Sequence, residues 1–215
     1  MTDTGWLVGA VVGFALLHSL LATGVMKKLA AETWGGNRVA VWYRLVYCLV
    51  AVVTTAGVAA VIVRLPDVTY VTLPAWLELP LVLLQAASLL FAAAGFRIFS
   101  LTEFLGLAQV GRHLRGEDTP GDVEGLRHQP LQRLGVYGMV RHPMYSGAIA
   151  FFLLSPTYTR TWLIVRALAI AYFIVGALVE ERRLLKTYGD DYRRYMNEVP
   201  RFIPRLRRYS GRKGI

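Results

Sequence analysis

Four stretches of this chain run for seventeen to nineteen residues with at most one charge: 6–22, 45–63, 79–96 and 161–179, the last holding only Arg166. Crossing the apolar part of a bilayer takes about 20 mostly apolar residues in a helix. The pattern predicts membrane-spanning helices. A fifth uncharged stretch fills the interval between Arg141 and Arg160, bracketed by Pro143 and Pro156. It is read as a shorter span over 143–159. The expected fold class is therefore an all-α integral membrane domain of about five transmembrane helices, one domain over 1–215.

Composition agrees. The chain is 55% hydrophobic and 18% charged, yet its net charge is +10. Soluble chains carry about 25% charged residues. A basic soluble protein would suggest nucleic acid, but too little polar surface exists here for that, so no nucleic-acid partner is expected. With the N-terminus outside, 21 of the 24 Lys and Arg fall on one side, 4 in 23–44, 6 in 97–141 and 11 in the tail 180–215. The positive-inside rule places these loops and the C-terminus in the cytoplasm, at the inner membrane if the source is bacterial. Most of these charges are explained by orientation and by contact with anionic lipid headgroups. No Lys or Arg precedes the first apolar run, which argues against a cleavable signal peptide. Cys48 is the single cysteine. That excludes a disulfide framework and a Cys-based metal site, and no metal is expected.

The 97–141 connection is long for a helical bundle and turn-rich over 116–122. It ends on Gly135-Val-Tyr137 and Arg141-His-Pro-Met-Tyr145. Pro143 suits the first position of a helix, and it pushes His142 toward an extended backbone. The N–H groups of Met144 and Tyr145 are then free to meet an anion such as a carboxylate. The alternative is an N-cap histidine beside interfacial tyrosines.

A second cluster follows the last span, Glu180-Glu-Arg and then Tyr188-Gly189. Gly189 fits a helix C′ cap. Either Glu180 pairs with Arg183 while Glu181 is solvated, or one carboxylate turns inward to hold a cationic group. Tyr188, Tyr192, Tyr195 and Val199 recur at helical spacing before Pro200, which predicts a short interfacial helix, packing or closing a pocket. No G-x-G-x-x-G, P-loop, H-E-x-x-H or G-x-S-x-G motif supports other common chemistries.

Taken together, these two clusters resemble the isoprenylcysteine carboxyl methyltransferase family of integral-membrane enzymes, over about the C-terminal 80 residues. The resemblance implies a cytoplasmic-side pocket for S-adenosylmethionine closed by the C-terminal helix. Carried over by position, Leu131, Tyr137, His142, Pro143, Met144, Tyr145 and Glu180 would contact the cofactor. No catalytic residue is assigned. The eukaryotic enzymes carry an Arg one turn before the acidic pair, where this chain has Gly176. Leu17-His-Ser-Leu-Leu-Ala22 and Phe104-Leu-Gly-Leu-Ala-Gln-Val110 instead resemble the bacterial branch, which includes methanethiol S-methyltransferase and denitrification-linked proteins. The acceptor would then be a small thiol or a lipid-like, isoprenylcysteine-type molecule, with His18 and Arg166 as candidate substrate contacts. Competing classes are a haem-dependent isomerase related to zeta-carotene isomerase, a sterol-reductase-like NADPH enzyme, and a lipid-binding scaffold.

Overall fold

A computed structural model describes residues 3–97, 100–119, 121–126 and 130–205. The chain divides into two compact units, Met1–Pro66 with Phe99–Gln129, and Asp67–Ile98 with Pro130–Ile215. Among the described residues, four helices are long and apolar enough to cross a membrane: α1 (Asp3–Leu21), α3 (Gly36–Arg64), α4 (Ala75–Phe96) and α8 (Arg160–Tyr188). Large apolar side chains such as Val53 and Leu90 point outward, 69% and 72% exposed, which suits contact with lipid rather than water. The protein is a multi-pass membrane protein. The fifth expected span differs: α7 (Pro143–Leu153) is 11 residues long. At 1.5 Å per residue the helix alone covers about 16 Å of the roughly 30 Å apolar core, and the rest of the crossing is non-helical chain that reaches the far end of α4, where residues 158–159 pair with 69–71. The chain leaves the helix at Leu154 and forms the short strand β2 (Tyr158–Thr159) instead.

In the first unit α1 packs on α3, and α2 (Gly24–Trp34) lies between them in sequence. Thr23 caps α2 by accepting from the Met26 N–H at 3.3 Å. Tyr43 donates to the Leu21 carbonyl at 2.6 Å, fixing the end of α1 against α3. The short helices α5 (Leu101–Phe104) and α6 (Leu107–Leu114) are separated by Gly106 at φ +84. A Cβ there would stand 2.4 Å from the Leu45 backbone nitrogen, so only glycine fits. Buried Glu124 pairs with Lys27 and Arg44, and Arg44 donates to the Phe104 carbonyl at 2.6 Å. The motif Phe104–Val110 thus serves the packing of this unit.

In the second unit α4 packs on α7, and α8 on α7. Gly147 makes the first contact close: an added Cβ would lie 2.5 Å from the Ser88 carbonyl oxygen and 2.7 Å from the Ala92 Cβ. Gln85 donates to the Phe151 carbonyl at 2.9 Å across the same interface. Thr159 caps α8 by accepting from the Trp162 N–H. The strand β1 (Thr69–Val71) pairs antiparallel with β2, and Asp67 accepts from the Thr161 N–H at 3.0 Å. The 29 residues of α8 cover about 44 Å, so a span of about 20 residues begun at its start ends right at Glu180. Gly189, at φ +54, turns the chain into α9 (Asp190–Glu198), where a left-handed backbone favours glycine.

Candidate functional site

The predicted motif and the acidic pair meet in the second unit, where the chain after α9 runs back alongside residues 139–142. The Arg141 N–H donates to the Pro200 carbonyl at 2.8 Å, the His142 N–H to Arg201 at 3.3 Å, and the Arg205 N–H to Met139 at 3.0 Å. Pro200 lacks an N–H and loses nothing as an acceptor only. Tyr192 and Tyr195 of α9 and Val199 just after it are buried, and Leu131, Leu184 and Leu185 pack on them. The Tyr195 hydroxyl donates to the Tyr137 carbonyl at 2.6 Å, and the Tyr137 hydroxyl to Gly95 at 3.1 Å. Burial, helped by the nearby Glu180 charge, pushes the Tyr137 phenol up to about 12. It therefore stays neutral and donates.

Glu181 is the hub, at 3% exposure. Its Oε1 takes Arg141 Nε at 2.9 Å and Nη2 at 2.7 Å. Its Oε2 takes Arg201 Nη2 at 2.7 Å. Arg141 Nη1 donates to the carbonyls of Met196 and Val199, both at 2.7 Å. Of the two alternatives, the one with Glu181 solvated is thereby excluded. Its partners are 40 and 20 residues away, so helical spacing could not reveal them; an arginine directly before His142 was the available signal.

Glu180 is the freer acid, its side chain 32% exposed. No ion pair joins it to Arg183 among the described residues. Its Oε2 lies 3.7 Å from His142 Nδ1, and the carboxylate stands close to the Tyr145 side chain. His142 stacks on Tyr145 at 5.5 Å between ring centres, and Phe202 lies 6.2 Å away. Burial holds the His142 imidazole below its ordinary value, against the opposing pull of Glu180 and Glu181. At neutral pH the ring is uncharged. His142 is the N-cap residue of α7, with Pro143 at N1, and its side chain does not cap the helix. The N–H groups of Met144 and Tyr145 thus lie in the uncapped first turn. Beside this cluster an apolar cavity of about 460 Å³ is lined by Leu84, Phe91, Gly147, Leu153 and Phe202 among others. Buried Ser146 also lines it, with a hydroxyl oxygen that makes no hydrogen bond.

Leu131, Tyr137, His142, Pro143, Met144, Tyr145 and Glu180 therefore gather around one cluster. Arg166 does not join it. It stands fourteen residues before Glu180 on α8, about 21 Å along the axis. There it donates to the carbonyls of Ser155 and Thr157 and lies over the Tyr158 ring. His18 belongs to the first unit, where its Nε2 is 2.6 Å from the Tyr47 hydroxyl.

Comparison with known proteins now bears on this site. The chain is 39% identical over 103 residues to methanethiol S-methyltransferase 1 of Bradyrhizobium diazoefficiens, covering 47% of this chain and 33% of that protein. It is 31% identical over 127 residues to methanethiol S-methyltransferase 2 of the same organism, covering 58% and 46%. It is 34% identical over 108 residues to the methanethiol S-methyltransferase of Mycobacterium tuberculosis, covering 50% and 41%. The chain thus spans a third to just under half the length of these relatives. No family model and no solved structure matches it. Over about half its length, the chain is similar to the bacterial methanethiol S-methyltransferases, in agreement with the resemblance its motifs carry.

Proposed function

We propose that this protein is an S-adenosylmethionine-dependent methyltransferase that acts on a small thiol or a lipid-like acceptor at the cytoplasmic membrane face. The observation that carries this reading is Glu180, a partly open carboxylate with no arginine paired to it among the described residues, facing the uncapped start of α7. The residues present fit the cofactor's chemical groups. Glu180 would hold the ammonium. The Met144 and Tyr145 N–H groups, favoured by the helix dipole, would hold the carboxylate. Leu131 and Tyr137 supply apolar surface for the adenosine, and a tyrosine ring such as Tyr145 favours a sulfonium by cation–π attraction. Bound there, the cofactor supplies an electrophilic methyl group. The protein's part is orientation and exclusion of water, with Phe202 and the returning tail covering the cluster. The apolar cavity beside Phe202 suits a small or apolar acceptor.

Names of the similar proteins support the thiol as acceptor. Isothermal titration of the full chain in detergent tests the cofactor, and transfer from labelled S-adenosylmethionine to methanethiol tests the acceptor. Saturable binding and a labelled thioether are expected. Folded protein that binds no S-adenosylmethionine contradicts the reading.

A further inference from the structure

His142 has a carboxylate beside each ring nitrogen: Glu181 Oε1 is 3.2 Å from Nε2 and Glu180 Oε2 is 3.7 Å from Nδ1. Glu181 is tied to two guanidiniums and can only accept. The neutral ring must then carry its hydrogen on Nε2, which leaves a lone pair on Nδ1. That nitrogen makes no hydrogen bond among the described residues. Tyr145 and Phe202 pack on the ring and hold its plane. The arrangement is that of an oriented general base, an imidazole with its far side fixed by a buried carboxylate.

We propose that His142 Nδ1 accepts the S–H proton of the acceptor thiol, and that Glu181 is the positioning residue that fixes the ring for this step. The proposal rests on the thiol methyltransferase reading and deepens it. A thiolate is the nucleophile, and an alkyl thiol is mostly protonated near neutral pH, so a base accelerates its reaction. The S–H bond breaks and an N–H bond forms at Nδ1. The thiolate electron pair then forms the new S–CH3 bond, while the methyl–sulfonium bond breaks and leaves its pair on the departing sulfur. The proton passes from His142 to solvent. The charged and titratable groups facing the ring are Glu180 and Glu181 from α8, Arg141 from its own segment, Arg201 from the tail and Tyr145 from α7. Both guanidiniums are engaged by Glu181, so the resulting imidazolium sits between two carboxylates.

The test uses the full chain in detergent, wild type, H142Q and E181Q, with an alkanethiol and with a fluorinated aryl thiol already ionised at assay pH. H142Q should lose about 100-fold or more in kcat/KM with the alkanethiol and about tenfold or less with the aryl thiol. E181Q keeps an acceptor for the ring and should show the same selective loss, smaller. A second readout is the pH profile: kcat/KM with the alkanethiol should level off once the His142 imidazole is neutral in wild type, and should go on rising with pH toward the thiol's own ionisation in H142Q. Equal losses for both thiols, or an H142Q profile that levels off as the wild type's does, overturn the proposal. If H142Q does not fold, E181Q decides by the same comparison. Wild-type protein that methylates neither thiol overturns the parent reading and this one with it; wild-type turnover with unselective losses overturns this one alone.

Discussion

Two adjacent glutamates have opposite fates. Glu181 is enclosed by Arg141, Arg201 and His142, while Glu180 keeps an open edge. Removing one partner of a buried ion cluster leaves the others uncompensated, typically about 3–5 kcal/mol. Glu181→Ala should therefore lower stability by about that amount, read as thermal unfolding in detergent; a fall of under about 1 kcal/mol would show that the hub is not holding the tail. Glu180→Ala should leave stability nearly as it is and weaken S-adenosylmethionine binding by about tenfold or more, the value of a charge-assisted hydrogen bond. His142 adds a pH dependence. Its folded value lies below the ordinary one, so the unfolded chain binds the proton more readily. Its contribution to stability is then full above about 6.5 and is lost as pH falls through its folded value. Wild type should lose stability faster than His142→Gln over that acid range, as seen in unfolding midpoints measured at a series of pH values. The sequence made the residue types visible, but not their pairings. Arg141–Glu181 and Arg201–Glu181 join positions far apart in the chain, and only the returning tail brings them together.

The elements show why some boundaries were legible and others not. Runs with at most one charge located α1, α3, α4 and α8, because composition alone sets a helix that faces lipid. Their ends were set by local chemistry that a hydropathy pattern does not weigh, such as the Thr159 cap that starts α8 and Gly189 that ends it. The run 143–159 looked like a span because it has no charge, yet its helix stops at Leu153. Ser155, Pro156 and Thr157 supply carbonyls and turns rather than helix, and Arg166 satisfies two of those carbonyls. Helix α7 is held instead by its contact with α4. Gly147→Ala would drive a Cβ into the Ser88 carbonyl oxygen, a contact that backbone cannot easily relieve. Overpacking of this kind costs about 1–3 kcal/mol. A correspondingly lower unfolding midpoint is expected; wild-type stability in this variant would mean that the two helices are not in close contact.

At the scale of the molecule, the net charge of +10 on a chain that is 55% hydrophobic becomes a statement about topology. The site reading requires the basic loops and tail to face the cytoplasm, where S-adenosylmethionine is made. With Cys48 replaced, a single cysteine at Asp118 should be shielded from an impermeant thiol reagent applied to intact cells, and one at Pro66 should be labelled; the reverse pattern inverts the topology. The similar proteins carry the thiol acceptor in their names, and this chain spans under half their lengths. The cofactor is the central claim and can be measured without knowing the acceptor. Titration of folded wild-type protein and Glu180→Ala with S-adenosylmethionine should give saturable binding in the first and about tenfold or weaker binding in the second. Folded wild-type protein with no binding, or equal affinity in the two, would contradict the account.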